Sequence, residues 1–199
     1  MELIRPVDWV SDDKFIVDGL EFSGDLGSYE QRTTEDRVVI LKNSSLLRQY
    51  LDFFKPHSVR NLFEFGIWQG GSPLFYGLAT DAEKIVAVDI ANPPPALDKI
   101  IAKHRLADKV KLHFRTSQDD RAAVTAIVDK EFGDEPIDVV IDDASHQHGF
   151  TRRAFEIIYP RLRTGGIYII EDWQWAHIDS PRYQKGEHFG GEPALTNFI

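Results

Sequence analysis

Short apolar runs that end in acids, separated by segments of helical pattern, constrain this chain more than any other feature. Residues 59–65, 85–89 and 111–115 each read as a strand, and Ile141-Asp142-Asp143 and Ile169-Ile170-Glu171-Asp172 close two more. Helices fit between them. Ser44 or Ser45 caps one through Leu46, Leu47, Tyr50 and Phe54, which stops at Lys55-Pro56; Ser72 and Pro73 open another over 74–79. Further helical patterns cover 96–105, 119–132 (opened by Asp119 and Asp120, closed at Gly133) and 151–163, the last ending in a Gly165-Gly166 C-cap. Strands alternating with helices of this length require a mainly parallel sheet with right-handed crossovers, an α/β doubly wound, Rossmann-like fold.

Acids clustered at strand ends are hard to explain as scaffolding. If the last two strands are neighbours, their ends lie about 5 Å apart, which gathers up to four acids and His146 around one point. Side chains alternate along a strand, so only one of Asp142 and Asp143 can face that point; Asp143 is favoured, and the other caps the following helix or turn. Glu171 and Asp172 can both face it only if the chain leaves extended geometry there. Such a constellation suits a cation beside a base, with His148 competing with His146 for the second role. Upstream, residues 66–73 form a glycine turn running into a helix N-terminus, where glycines admit close approach and unpaired N–H groups face a ligand. The spacing is Glu64-x-Gly66-x-x-x-Gly70-Gly71-Ser72 rather than G-x-G-x-x-G, so a plain structural turn remains the alternative. Asp89, at a strand end 19 residues beyond Gly70, stands where doubly wound folds place a carboxylate on ribose hydroxyls. The polar turn Thr116-Ser117-Gln118-Asp119 is placed to edge an adenine.

On Glu64-Phe65-Gly66 with Gly70-Gly71-Ser72, Asp143-Ala144-Ser145-His146, the run from Arg161 to Gly165-Gly166, and Glu171-Asp172, the chain resembles the class I S-adenosylmethionine-dependent methyltransferases. Within them it is similar to the metal-dependent macrolide-sugar O-methyltransferases of the mycinamicin and macrocin type and their cephalosporin hydroxylase-like relatives. The resemblance covers residues 56 to 175. It implies that Asp143, Glu171 and Asp172 bind Mg²⁺ and that His146 is the general base. Glu64, Gly66, Gly70 and Ser72 would hold the methionine end of S-adenosyl-L-methionine, with Asp89 on the ribose and Ser117 toward the adenine. The implied reaction is in-line attack of a hydroxyl of a small-molecule acceptor, a natural-product sugar, on the sulfonium methyl group. A cation acidifies such a hydroxyl and a histidine takes its proton.

Composition narrows the alternatives. The absence of cysteine excludes disulfides and thiolate ligands, leaving oxygen and imidazole donors that suit a hard cation. A formal net charge of -9 argues against a nucleic-acid partner. No run of 18 apolar residues indicates a membrane span, and Met1 to Pro6 lack a signal peptide's apolar core, so the expected location is cytoplasmic. A homo-oligomer is compatible with the sequence. Residues 1–43 read as an acceptor-side segment containing a hairpin around Asp18-Gly19, and 44–199 as the S-adenosylmethionine-binding domain. Only 29 residues follow Ile170, rich in glycine and proline, and only 194–199 could begin a helix. The helix and antiparallel strand pair that usually complete a class I sheet are therefore expected to be missing or truncated, leaving an apolar edge. Trp68, Trp173 and Trp175 are read either as packing or as stacking surfaces for an acceptor. His57, His104, His113, His177 and His188 are read as surface or packing residues. Two rival readings are an NAD-type oxidoreductase, which gives the acids no role, and a non-catalytic cofactor-binding module.

Overall fold

In the computed structural model, residues 5–24 and 30–198 are described. A sheet of four strands comes first: β1 (Val7–Trp9), β2 (Lys14–Val17), β3 (Leu20–Ser23) and β4 (Arg37–Val39), in that order, with only the β3–β4 pair parallel. β2 and β3 form the expected hairpin. Asp18 and Gly19 both take positive φ, 53° and 75°, the backbone that a two-residue turn matched to strand twist demands. Residues 25–29 lie outside the described residues, as do Met1 to Ile4 and Ile199.

The second sheet has five strands, all parallel: β5 (Asn61–Phe65), β6 (Lys84–Asp89), β7 (Val110–Phe114), β8 (Ile137–Asp142) and β9 (Leu162–Ile170), in the spatial order β7-β6-β5-β8-β9. The doubly wound fold expected from the alternating pattern is the one observed. Helices α1 (Ser44–Phe54), α2 (Gly71–Ala79) and α3 (Leu97–Lys103) carry apolar residues into one core, while α4 (Arg121–Phe132) and α5 (His148–Ile158) line the other. The first core runs on into the N-terminal sheet. Phe15 and Phe22 stack at 5.3 Å, and both meet Phe75 of α2 edge-on at 5.4 and 6.0 Å. That aromatic cluster ties β2 and β3 of the N-terminal sheet to α2.

Several boundaries differ from the sequence reading for identifiable reasons. α1 is capped by Asn43, whose side chain accepts from the Leu46 N–H at 2.8 Å, because the Ser44 hydroxyl is turned to Asp12. Ser72 is not the cap of α2. The turn needs a left-handed residue, supplied by Gly70 at φ 94°, so Ser72 falls inside the first turn. The helix expected over 151–163 starts earlier and ends at Ile158, since Pro160 has no N–H to continue it. Gly165-Gly166 then lie within β9, not at a helix C-cap, in the irregularity that lets the register pass from Ile137↔Leu162 to Val139↔Ile167. After β9 the described residues hold short helical turns (Trp173–His177, Pro181–Gln184, Leu195–Asn197) and no further strand.

Candidate active site

Register builds the site. Phe65 pairs with Val88 on one side and Asp142 on the other, and Asp142 pairs with Ile170. The next residue on each strand therefore falls into one row: Asp89, Gly66, Asp143, Glu171. Backbone bonds carry the ladder into that row, from Gly66 N to Val88 O, Asp143 N to Phe65 O and Glu171 N to Asp142 O, at 2.9, 2.9 and 3.0 Å. Strand order reverses between β5 and β8, so Gly66 and Asp143 flank the crevice in which open α/β sheets bind ligands. Gly66 is demanded there by its neighbour: at φ 97°, a Cβ would collide with the carbonyl oxygen of Asp143.

Asp142 and Asp143 split as alternation requires. Asp142 is buried beneath the row, where it accepts from Tyr168 Oη at 3.1 Å and Gln118 Nε2 at 3.3 Å instead of capping a helix. Burial pushes its carboxyl up to about 7, against the hydrogen bonds from Tyr168 and the Ala144 N–H. Asp143 emerges at the surface of the crevice. Asp172 takes positive φ, 50°, so the chain leaves extended geometry after Glu171 and both acids reach the same region. His146 also takes positive φ, 58°. Its carbonyl accepts from the buried Trp175 indole at 2.7 Å, and Trp175 stacks on Phe189 at 4.5 Å, which places Trp175 in packing. The neighbouring Ser145 carbonyl bonds His188 Nε2 at 3.0 Å, so His188 braces the loop too. His148 packs edge-on against Phe198, and Trp173 is exposed.

His146 Nε2 lies 3.9 Å from Asp143 Oδ1 and 4.0 Å from Asp172 Oδ2. One ligand atom from each of these three residues falls within 4.8 Å of the others. Oxygens bound to one Mg²⁺ at about 2.1 Å stand about 3–4 Å apart, so this group comes near the spacing a divalent cation needs, with the two carboxylates as its oxygen donors. Glu171 is not in that group. Its Oε1 accepts from Tyr50 Oη at 2.6 Å and Lys42 Nζ at 2.7 Å, and Lys42 also donates to Asp143 Oδ2. Burial raises the Glu171 carboxyl, against the pull of Lys42. Burial works against the charged form of Lys42, but Asp143, Glu171 and Glu64 together hold its ammonium well above the usual range. The sequence reading missed Lys42 and Tyr50. A signal for Lys42 existed: residues 38–41 are an apolar run that ends in a lysine, the counterpart of the acid-tipped strands.

Below the row, Glu64 is fully buried. Its Oε1 accepts from the Ser72 hydroxyl at 2.6 Å, and Oε2 finds no partner among the described residues. Burial pushes its carboxyl up to about 8, opposed by Lys42 and by the Ser72 hydroxyl. Asp89 turns inward on the glycine turn. Oδ2 accepts from the Ile67 and Trp68 N–H groups at 2.7 and 2.8 Å, and Oδ1 from Ala91 at 2.7 Å. Gly70 closes that turn, and the N-terminus of α2 carries no side-chain cap, as a ligand cradle requires. The Ser117 hydroxyl donates to Asp119 at 2.5 Å.

Comparison with known proteins agrees with this layout. A family model described as a methyltransferase domain matches residues 63–173, more than half of the chain. Among curated relatives, 8-demethyl-8-(2-methoxy-alpha-L-rhamnosyl)-tetracenomycin-C 3'-O-methyltransferase of Streptomyces olivaceus is 41% identical over 70 residues, which is 35% of this chain and 17% of that protein. Mycinamicin VI 2''-O-methyltransferase of Micromonospora griseorubida is 29% identical over 147 residues, 64% of this chain and 33% of its own. The chain thus spans a third or less of the length of these relatives. In fold it is similar to the MycE methyltransferase of the mycinamycin pathway, solved with Mg, SAH and mycinamycin VI, with a TM-score of 0.50 at 23% identity over 66% of this chain and 34% of that one. The oxidoreductase alternative falls with the family match. That match begins inside β5 and ends one residue past Asp172, taking in every strand tip in the row, and the chain belongs to the methyltransferase-domain family.

Proposed function

We propose that this chain binds S-adenosylmethionine at the tips of β5 and β6 and, with a hard divalent cation such as Mg²⁺, methylates a hydroxyl of a small-molecule acceptor, a sugar of a natural product. The observation that carries this reading is the convergence of Asp143, His146 and Asp172 at the strand-order reversal, beside the glycine turn. The sugar O-methyltransferase relatives support the choice of acceptor. S-adenosylmethionine would supply an electrophilic methyl group, and the cation would acidify the attacking hydroxyl.

The chain's own residues divide the remaining work. The glycine turn and the uncapped start of α2 hold the amino-acid end of the cofactor, with Glu64 and Ser72 beneath it. Asp89 keeps the turn closed through the Ile67 and Trp68 N–H groups and has one lone-pair site left, on Oδ1, for a ribose hydroxyl; the 116–119 turn borders the base. Asp143, Glu171 and Asp172 provide the negative field that attracts the cation. His146 Nε2 faces the oxygens of Asp143 and Asp172, placed to take the hydroxyl proton. The N-terminal segment, residues 1–43, which carries the four-stranded sheet β1–β4, forms the acceptor side and is followed by the cofactor-binding domain, residues 44–199.

Calorimetry with S-adenosylmethionine, then transfer of labelled methyl to a panel of glycosylated polyketides with and without chelator, tests the reading. Transfer is expected only with cofactor and metal. Replacing His146 with alanine should lower turnover by about 10²–10⁴-fold while cofactor affinity holds. Absence of cofactor binding, or full transfer in excess chelator, would overturn it.

A further inference from the structure

The glycine turn from Gly66 to Gly71 is held at successive residues by other parts of the chain. Asp89 takes the N–H groups of Ile67 and Trp68 at 2.7 and 2.8 Å, and the Gly70 N–H closes on the Ile67 carbonyl at 2.8 Å. Gln69, between them, is held from outside the parallel sheet. Thr33, in the connection from β3 to β4, donates its hydroxyl to the Gln69 carbonyl at 2.7 Å and its own N–H to Gln69 Oε1 at 3.1 Å. The same hydroxyl accepts from the Val39 N–H of β4 at 3.1 Å, so one threonine, only 6% exposed, joins the turn to the N-terminal sheet. Two residues on, α2 begins at Gly71, where a Cβ would overlap Ile40 and the carbonyl oxygen of Val39. The chain leaving β4 therefore lies directly against the start of α2.

A short turn rich in glycine has many conformations open to it. A ligand that needs one of them binds more weakly in proportion to the time the turn spends in the others. Asp89 restrains two N–H groups of this turn but leaves the Gln69 carbonyl to be fixed by something else, and Thr33 fixes it. We propose that the N-terminal segment, read above as the acceptor side, also sets the affinity for S-adenosylmethionine: the Thr33–Gln69 pair, backed by the contact of residues 39–40 on Gly71, holds the turn in its binding shape before the cofactor arrives. Thr33 is a positioning residue, acting through Gln69. The exposed ion pairs Lys99–Glu35 and Lys103–Asp36 join the same segment to the α3 helix, but solvated pairs of this kind contribute little. The inference rests on the glycine turn as the seat of the cofactor and adds a determinant of its affinity that lies outside the parallel sheet.

Calorimetric titration of the full chain with S-adenosylmethionine and with its demethylated product, well below the melting temperature of each variant, tests this without any acceptor. Thr33→Val keeps the shape of the side chain and removes the hydroxyl, so the Kd for both ligands should rise by about threefold or more, the weight of one net hydrogen bond. Thr33→Ser keeps the hydroxyl and should restore wild-type affinity. Gln69→Leu removes the acceptor of the Thr33 N–H and should weaken binding too. Because the two residues act as one unit, the double variant should lose less than the product of the single losses. A smaller rise in Thr33→Val, a rise that serine does not reverse, or a loss confined to the number of competent sites at unchanged Kd would each overturn the inference, the last because it marks misfolding and not a displaced turn. Should Thr33→Val fail to fold, Gln69→Leu decides by the same threefold limit. Binding by the wild-type chain with unaltered affinity in the variants defeats this inference alone; no binding of either ligand by the wild-type chain defeats the reading of the turn as well.

Discussion

Replacing Glu64 with glutamine should make the protein progressively more stable than wild type as pH rises, by an amount the structure sets. The carboxyl is fully buried and holds its proton up to about 8, whereas the unfolded chain releases it near 4.5. Between those values the folded state binds more protons than the unfolded state, so stability falls with rising pH, and the loss is complete above the folded value. The displacement is roughly three and a half pH units at about 1.4 kcal/mol each, which puts the full loss near 5 kcal/mol. Glutamine keeps the size of the side chain and an acceptor for the Ser72 hydroxyl but carries no proton to lose. Lys42 retains Asp143 and Glu171 as direct partners. Urea titrations of both proteins at steps from about pH 5 to about pH 9 should show a small difference at the acid end that grows through neutrality and levels off above about pH 8. A difference independent of pH would mean that Glu64 is already ionised in the folded state, held by Lys42 against its burial, and the reasoning would fail.

Gly66→Ala forces a Cβ against the Asp143 carbonyl at positive φ, so a clear fall in melting temperature together with weakened S-adenosylmethionine binding is expected; normal values of both would show that the turn can shift aside. Asp120→Ala removes the side-chain cap on the Ala123 N–H of α4, 3.0 Å long, and should cost about 0.5–2 kcal/mol by denaturant titration. An unchanged unfolding midpoint would show that the cap contributes nothing.

The parallel sheet was legible because each of its strands is a short apolar run with a marked end, and the row of site residues followed from acids at those ends. Helix limits were less legible where two signals competed. Gly165-Gly166 has the composition of a C-cap, but Pro160 had already ended the helix, and the glycines were used to irregularise a strand. Ser72 has the composition of an N-cap, yet a left-handed residue was needed two positions earlier and its hydroxyl went to Glu64. Lys42 and Tyr50 lie 129 and 121 residues before Glu171, and no local pattern reports a pairing across such a distance. The same holds for Trp175 and His188, which brace the His146 loop from a segment with no periodicity.

The distance along the chain between Lys42 and its acids also bears on the order of folding. Its bonds to Asp143 and Glu171 close loops of 101 and 129 residues, and β9, which brings Glu171, is an edge strand paired only with β8. Contacts of such long range form after the local hairpin and helices, because the entropy of closing the loop precedes any reward from the contact. A partly folded chain with β9 undocked therefore holds Lys42 on Asp143 alone and leaves the Tyr50 hydroxyl without its Glu171 acceptor. Docking of the last strand is the step that joins both to Glu171, so the finished site is also the sign that the whole sheet has been made.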